Sequence, residues 1–219
     1  MRADYHRQLE TLRADLGRMC SLAGTAVGSA TDALLGDDLG AAARVSDDVD
    51  RLRVLDGAVE RQVVSILARQ APVARDLREV VTAIQIAADA DRMGGLAAHI
   101  ARVPTLRHPD PVVPDPLQPS FVQMGALAVD LADRCRAAVL DGTGAQTDRI
   151  LDDDNAMEQV HRGVHRAVMQ KDWSHGATAA IDAVLLGRFY GRFADHAGEI
   201  ARRVRFQTTG SNVHGDALV

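Results

Sequence analysis

Aromatic side chains are scarce in this 219-residue chain, at 3% of the residues. A core with so few rings is built from Ala, Val, Leu and Ile, and those residues interleaved with Arg and Asp favour packed helices over sheets. Cysteine is nearly absent as well: Cys20 and Cys135 are the only two. Two thiols without CxxC spacing exclude a disulfide framework and read as small buried hydrophobes in a reducing compartment. A basic excess is missing, since 25 Lys plus Arg face 30 Asp plus Glu for a formal charge of −5. That balance excludes a dedicated nucleic-acid surface, which must neutralise phosphates. Long apolar runs are missing too. The charge-free stretches Met19–Thr31 and Pro116–Val129 fall short of the roughly 18 apolar residues of a spanning helix. No apolar h-region follows Met1–Arg7, so the reading is of a cytoplasmic chain without a secretory leader or membrane insertion.

What is present is an ordinary globular mixture, 47% hydrophobic and 25% charged, which excludes wholesale disorder. Six of the seven prolines (Pro104, Pro109, Pro111, Pro114, Pro116 and Pro119) fall in one stretch, and the seventh is Pro72. Each ring removes a donor and clashes with the preceding turn, so the stretch predicts a linker between two helical halves. Expected boundaries are a first three-helix bundle over 1–103, a Pro-rich linker over 104–116, a second bundle over 117–206 and a flexible tail over 207–219.

Helical periodicity runs through both halves. Leu9, Leu12, Leu16, Met19 and Ala23 form a stripe at three- and four-residue steps, and Val45, Val49, Leu52, Leu55, Val59, Val63 and Ile66 form another. A third helix opens near Pro72, with Asp76 at the positive end of its dipole, and runs through Val80, Ile84 and Ile100. The halves also repeat. At an offset of 105, Met19 falls on Met124, Leu22 on Leu127 and Asp48 on Asp153. At an offset of 100, Arg92 falls on Arg192, Ala97 on Ala197 and Ile100 on Ile200. Register held over three helices predicts an all-α fold of two tandem three-helix bundles.

The ends of the third and sixth helices are the most informative. They read Asp89-Ala90-Asp91-Arg92-Met93-Gly94-Gly95-Leu96-Ala97-Ala98-His99-Ile100-Ala101 and Tyr190-Gly191-Arg192-Phe193-Ala194-Asp195-His196-Ala197-Gly198-Glu199-Ile200-Ala201. With Pro72-Val73-Ala74-Arg75-Asp76-Leu77-Arg78, they resemble the PhoU family of phosphate-signalling regulators over nearly the whole chain, and the Arg-rich, Lys-poor composition looks actinobacterial. The resemblance implies a non-catalytic accessory protein of phosphate transport that restrains the phosphate-starvation response. It also implies two partners, a phosphate-sensing histidine kinase and the phosphate ABC transporter ATPase, while a homodimer stays open.

Some members of that family hold iron or zinc clusters on an acidic ExxxD motif in each bundle. Carboxylates at i and i+4 lie one turn apart on one face and can bridge such cations. Here each repeat keeps one half of the pair, because Asp91 is followed by Gly95 and Asp195 is preceded by Gly191. The positions left for a divalent, iron or zinc ion are Asp91, Asp195, His196 and Glu199, with oxygens on offer from Asp47, Asp48, Asp50 and Asp152 to Asp154. A solvated acidic face is the plainer reading, and a cluster in both bundles is not expected. The other function left open is a carboxylate-bridged redox or hydrolytic metalloprotein.

Remaining candidates are weaker. Glu158-Gln159-Val160-His161, with His165 a turn on, matches one Glu-x-x-His of a di-iron bundle but lacks the second copy. Trp173 is expected to plug the end of the second bundle. No P-loop, GxGxxG, nucleophile elbow or basic recognition helix is present, so neither catalysis nor nucleotide binding is indicated.

Overall fold

A computed structural model describes residues 2–36, 38–142 and 147–210, without the side chains of residues 2, 3, 39 and 151–154. The acids at 152–154, which the sequence offered as ligands, therefore lie outside the described side chains, as do residues 211–219 of the tail. Six α-helices account for nearly all of the described residues: α1 (Arg2–Gly36), α2 (Leu39–Gln70), α3 (Ala74–Arg107), α4 (Gln118–Asp141), α5 (Thr147–Val168) and α6 (Gly176–Thr209). A 3-10 turn, Asp115–Leu117, leads into α4. Most of the predicted stripes are buried: Leu9, Leu12, Leu16 and Met19 of α1 meet Val45, Leu52, Val59 and Val63 of α2 and Val80, Ile86 and Met93 of α3, whereas Ile84, expected on the third stripe, faces outward at 39% exposure. Asp38 caps α2, its carboxylate accepting from the Gly40 and Ala41 amides at 2.9 and 3.1 Å.

The two three-helix units share one core. Helices α2, α3, α6 and α5 lie side by side in that order, while α1 and α4 pack on each other and on one side of that row. Two antiparallel seams join the halves, and each pairs a helix with its repeat-mate. In the α1–α4 seam, glycines let the backbones approach closely. A Cβ at Gly24 would lie 3.0 Å from that of Ala132, and one at Gly125 would lie 2.5 Å from the Thr31 methyl. Thr31 in turn bonds the Tyr190 hydroxyl at 2.8 Å in full burial.

The α3–α6 seam is polar at both ends. Gln207 donates to Thr82 at 2.7 Å, and Arg107 grips Asp182 with two bonds of 2.7 and 3.0 Å. These two pairs are the same contact seen twice, because the offset of 100 carries 82 onto 182 and 107 onto 207. Pro104 departs from the expected linker. It is buried inside α3, whose next turn continues to Arg107, and its carbonyl accepts from the His108 amide at 2.9 Å. Burial of the ring and the Arg107–Asp182 pair carry the helix past the lost donor. Pro119, by contrast, starts α4, where a missing amide costs nothing. Gln207, placed by the sequence in a flexible tail, is buried in the last turns of α6.

Candidate functional site

The Pro-Val-Ala-Arg-Asp-Leu-Arg segment forms the α2–α3 turn, and its polar side chains reach three other helices. Arg75 donates to the carbonyl of Gly142, the left-handed cap of α4, at 3.0 Å. Arg78 donates twice to the Gln207 carbonyl near the end of α6, at 3.1 and 3.3 Å. Both guanidinium groups thus sit at the negative ends of helix dipoles. Asp76 accepts from the Tyr5 hydroxyl of α1 at 2.9 Å. Burial, with that bond and the Asp76 charge, pushes the tyrosine up to about 12. The next residue but two, Glu79, is buried in a two-bond ion pair with Arg13 at 2.6 Å. Two alanines in the turn, Ala71 and Ala74, adopt left-handed backbone at φ 45° and 49°. That conformation costs an L-residue roughly 1–2 kcal/mol and survives where neighbours over-determine it. Between them Val73 stands 74% exposed.

Further along the α3–α6 seam, Asp89 is the hub of a buried charge network at 1% exposure. Its Oδ1 lies 3.0 Å from His196 Nδ1, and its Oδ2 accepts from Arg203 Nε at 2.9 Å. Arg203 also reaches Gln85 at 3.1 Å. Burial pushes the Asp89 carboxyl up, but the His196 and Arg203 bonds and charges outweigh it and hold the group below the usual carboxylate value. The network has no counterpart in the other half of the seam. There the repeat-mates of Asp89, His196 and Arg203 are Phe189, Leu96 and Val103, and His99 stacks on Phe189 with ring centroids 5.3 Å apart.

The four positions considered for a metal ion are placed differently. His196 faces Asp89 in the seam, while Glu199 is paired with Arg202 at 2.7 Å and lies 3.9 Å from Arg203. Asp195 is exposed. Asp91 lies beside Asp56 of α2, whose carboxyl is raised by burial and by the charges of Asp91 and Glu60. Among the described residues no three His, Cys, Asp or Glu side chains are grouped to hold a metal ion. With His196 and Glu199 already bound to charged partners, the donor set does not fit an iron or zinc cluster.

The other sequence candidates resolve into packing. His161 presses its ring against Gly187, where a Cβ would lie 2.6 Å from it, and meets His165 edge-on at 4.5 Å. Trp173 packs on the core of the second half and donates to the Gly176 carbonyl at 2.9 Å. Both cysteines are fully buried, and burial pushes the Cys20 thiol up to about 12 and the Cys135 thiol up as well.

The PhoU domain profile matches this chain twice, over residues 16–103 and 121–204. The chain belongs to the PhoU family. The PhoU homolog 2 of Mycobacterium tuberculosis, a phosphate-specific transport system accessory protein by name, is 46% identical over 211 residues, covering 96% of this chain and 99% of the relative. The PhoU homolog 1 of Mycobacterium leprae is 44% identical over 218 residues, 100% and 98% of the two chains. Crystal structures of PhoU from Streptococcus pneumoniae (TM-score 0.84, 20% identity, 96% and 100% coverage) and Pseudomonas aeruginosa (0.81, 21%, 94% and 100%) share the fold. The two PhoU repeats coincide with the halves that meet across the two seams.

Asp89 and Arg203 were not singled out by sequence reasoning, although a signal existed. Asp89 adjoins the apolar run Ile86, Ala90, Met93 and Ala97, where a solvated carboxylate is out of place. Which cation answers it, more than a hundred residues on, needs the pairing of α3 with α6.

Proposed function

We propose that this protein is a phosphate-specific transport system accessory protein that keeps the phosphate-starvation response off when phosphate is plentiful. It acts by binding: it holds a phosphate-sensing histidine kinase in the state that does not phosphorylate its response regulator, in register with the phosphate ABC transporter ATPase. The observation that supports this reading is the 46% identity, across nearly the full length of both chains, to a relative named as a phosphate-specific transport system accessory protein. Rigid helical rows with broad exposed faces suit adaptor work, and the reading places the protein in the cytoplasm, at the membrane only through its partners. No helix among the described residues is long and apolar enough to cross a membrane.

The test is a phosphate-starvation reporter in a deletion strain grown in abundant phosphate. The reporter should be derepressed, and the wild-type copy should silence it. Asp91→Ala combined with Asp195→Ala should silence it equally well, because the action does not pass through a metal. A reporter that stays silent in the deletion strain, with every paralogous copy also removed, refutes the reading.

A further inference from the structure

One corner of the molecule leaves aliphatic side chains uncovered along two adjacent helices. On α3, Leu77, Val81 and Ile84 recur at the helical spacing on its exposed side, and on α2 Val64 and Leu67 lie across from them. Helices α2 and α3 run antiparallel from the tight turn, so Leu67 falls beside Leu77 and Val64 beside Val81. Val64 is 65% and Val81 47% exposed, and Val73 at the turn extends the patch. Contiguous apolar surface of this kind marks an interaction site in a folded protein. The turn that presents Val73 is also strained at Ala71 and Ala74 and fastened by Arg75, Asp76 and Arg78 to three other helices. A strained backbone held in place by long-range contacts is preorganised, which lowers the entropic cost of binding.

The charge beside the patch indicates what covers it. One to three turns further along the same α2–α3 groove stand Glu60, Asp56 and Asp91, close enough for their charges to raise the Asp56 carboxyl. From Leu67 to Asp56 is eleven residues, or about 16 Å of helix, the length of three turns of a docked helix. Six part-exposed aliphatic side chains offer roughly a few hundred Å², well under the roughly 800 Å² per partner of a stable dimer.

We propose that the α2–α3 corner, from Val73 to the Asp56–Glu60–Asp91 acids, docks an amphipathic helix of a partner protein whose aliphatic stripe is followed one or two turns on by Arg or Lys. The proposal rests on the adaptor reading and names the face that serves it. The aliphatic contacts supply affinity, and the acids fix direction and register.

The test titrates the purified full-length protein against the purified cytoplasmic portion of the histidine kinase and, separately, the transporter ATPase, by isothermal titration calorimetry. Val64→Glu plus Val81→Glu, both at solvent-facing positions, should weaken binding to one of them at least tenfold while the melting temperature holds. Glu60→Lys should weaken the same complex and flatten its salt dependence. Leu106→Glu, equally exposed at the far end of α3, should change affinity less than twofold. Unchanged binding by the double variant overturns the proposal. So does a double variant that abolishes self-association in sedimentation yet binds both partners normally, since a second copy then covers the face. In the reporter strain, a double variant that represses like wild type sinks the docking face and leaves the adaptor reading standing. A wild type that binds neither partner and represses nothing overturns both.

Discussion

Replacing Asp89 by Asn tests whether the buried network of the α3–α6 seam holds the two halves together through charge. The substitution keeps the volume and one acceptor. It removes the charge and presents an amide donor to either Arg203 Nε or His196 Nδ1, which now bond the carboxylate at 2.9 and 3.0 Å. Breaking one side of a buried ion pair costs about 3–5 kcal/mol. Here the loss is smaller, because Arg203 is a quarter exposed and keeps Gln85 at 3.1 Å, so about 2–3 kcal/mol is expected. At 2–4 °C per kcal/mol for a chain of this size, the melting temperature should fall by about 4–12 °C. The assay is thermal unfolding followed by far-ultraviolet circular dichroism, with urea midpoints from pH 7 down to pH 3. The Asp89 carboxyl is depressed in the folded state, so its contribution is complete above the unfolded-state value near pH 4 and is lost as pH falls through the lower folded value. The gap between wild type and Asp89→Asn should therefore narrow as pH falls below about 4. A melting temperature within 2 °C of wild type at pH 7, or a gap that does not narrow in acid, would show that the network's charge does not stabilise the seam.

Three further outcomes are expected. Ala71→Gly relieves a left-handed backbone at φ 45° and should raise stability by about 0.5–1 kcal/mol, read as a higher urea midpoint at unchanged slope; a lower midpoint would mean that the turn is unstrained. Gly125→Ala drives a methyl into Thr31 across the α1–α4 seam and disturbs the Thr31–Tyr190 bond. It should cost about 1–3 kcal/mol, and an unchanged melting temperature would show that the seam can open at no cost. Cys20 and Cys135, buried and with raised thiols, should resist an aromatic disulfide reagent in the native protein at pH 8 and react with two equivalents in denaturant; fast labelling of native protein would contradict their burial.

The helices and their buried faces were legible because each is long and repeats its apolar residues at 3.6-residue spacing. Leu9, Leu12, Leu16 and Met19 could be assigned to a core before any partner was known. The internal repeat was legible for the same reason. Pro104 was not, because a proline's effect depends on whether tertiary contacts compensate for the lost bond. Arg107 meets an aspartate 75 positions away, beyond the reach of local reasoning. The same limit applied to the signature residues. Asp76 read as a dipole partner and Arg78 as part of a turn motif, whereas their partners are Tyr5 and the end of α6. His196 and Glu199 read as members of an acidic face, and each is engaged by a partner that only the folded pairing of helices supplies.

The lopsided middle of the α3–α6 seam makes the two repeats non-interchangeable. Two copies of the first repeat pairing through α3 would set Asp89 against Leu96 and Val103, leaving it only the exposed Arg92, 3.7 Å away on its own helix. Two copies of the second, pairing through α6, would set Arg203 and His196 against Phe189. Either arrangement gives up the Asp89–His196 and Asp89–Arg203 contacts and sets a charged side chain against apolar ones, a costly exchange in a helix interface. A newly made chain thus has a built-in reason to close its first half onto its own second half instead of exchanging halves with a neighbour. Moving the aspartate and the arginine onto the same repeat would abolish that preference while keeping the overall composition unchanged.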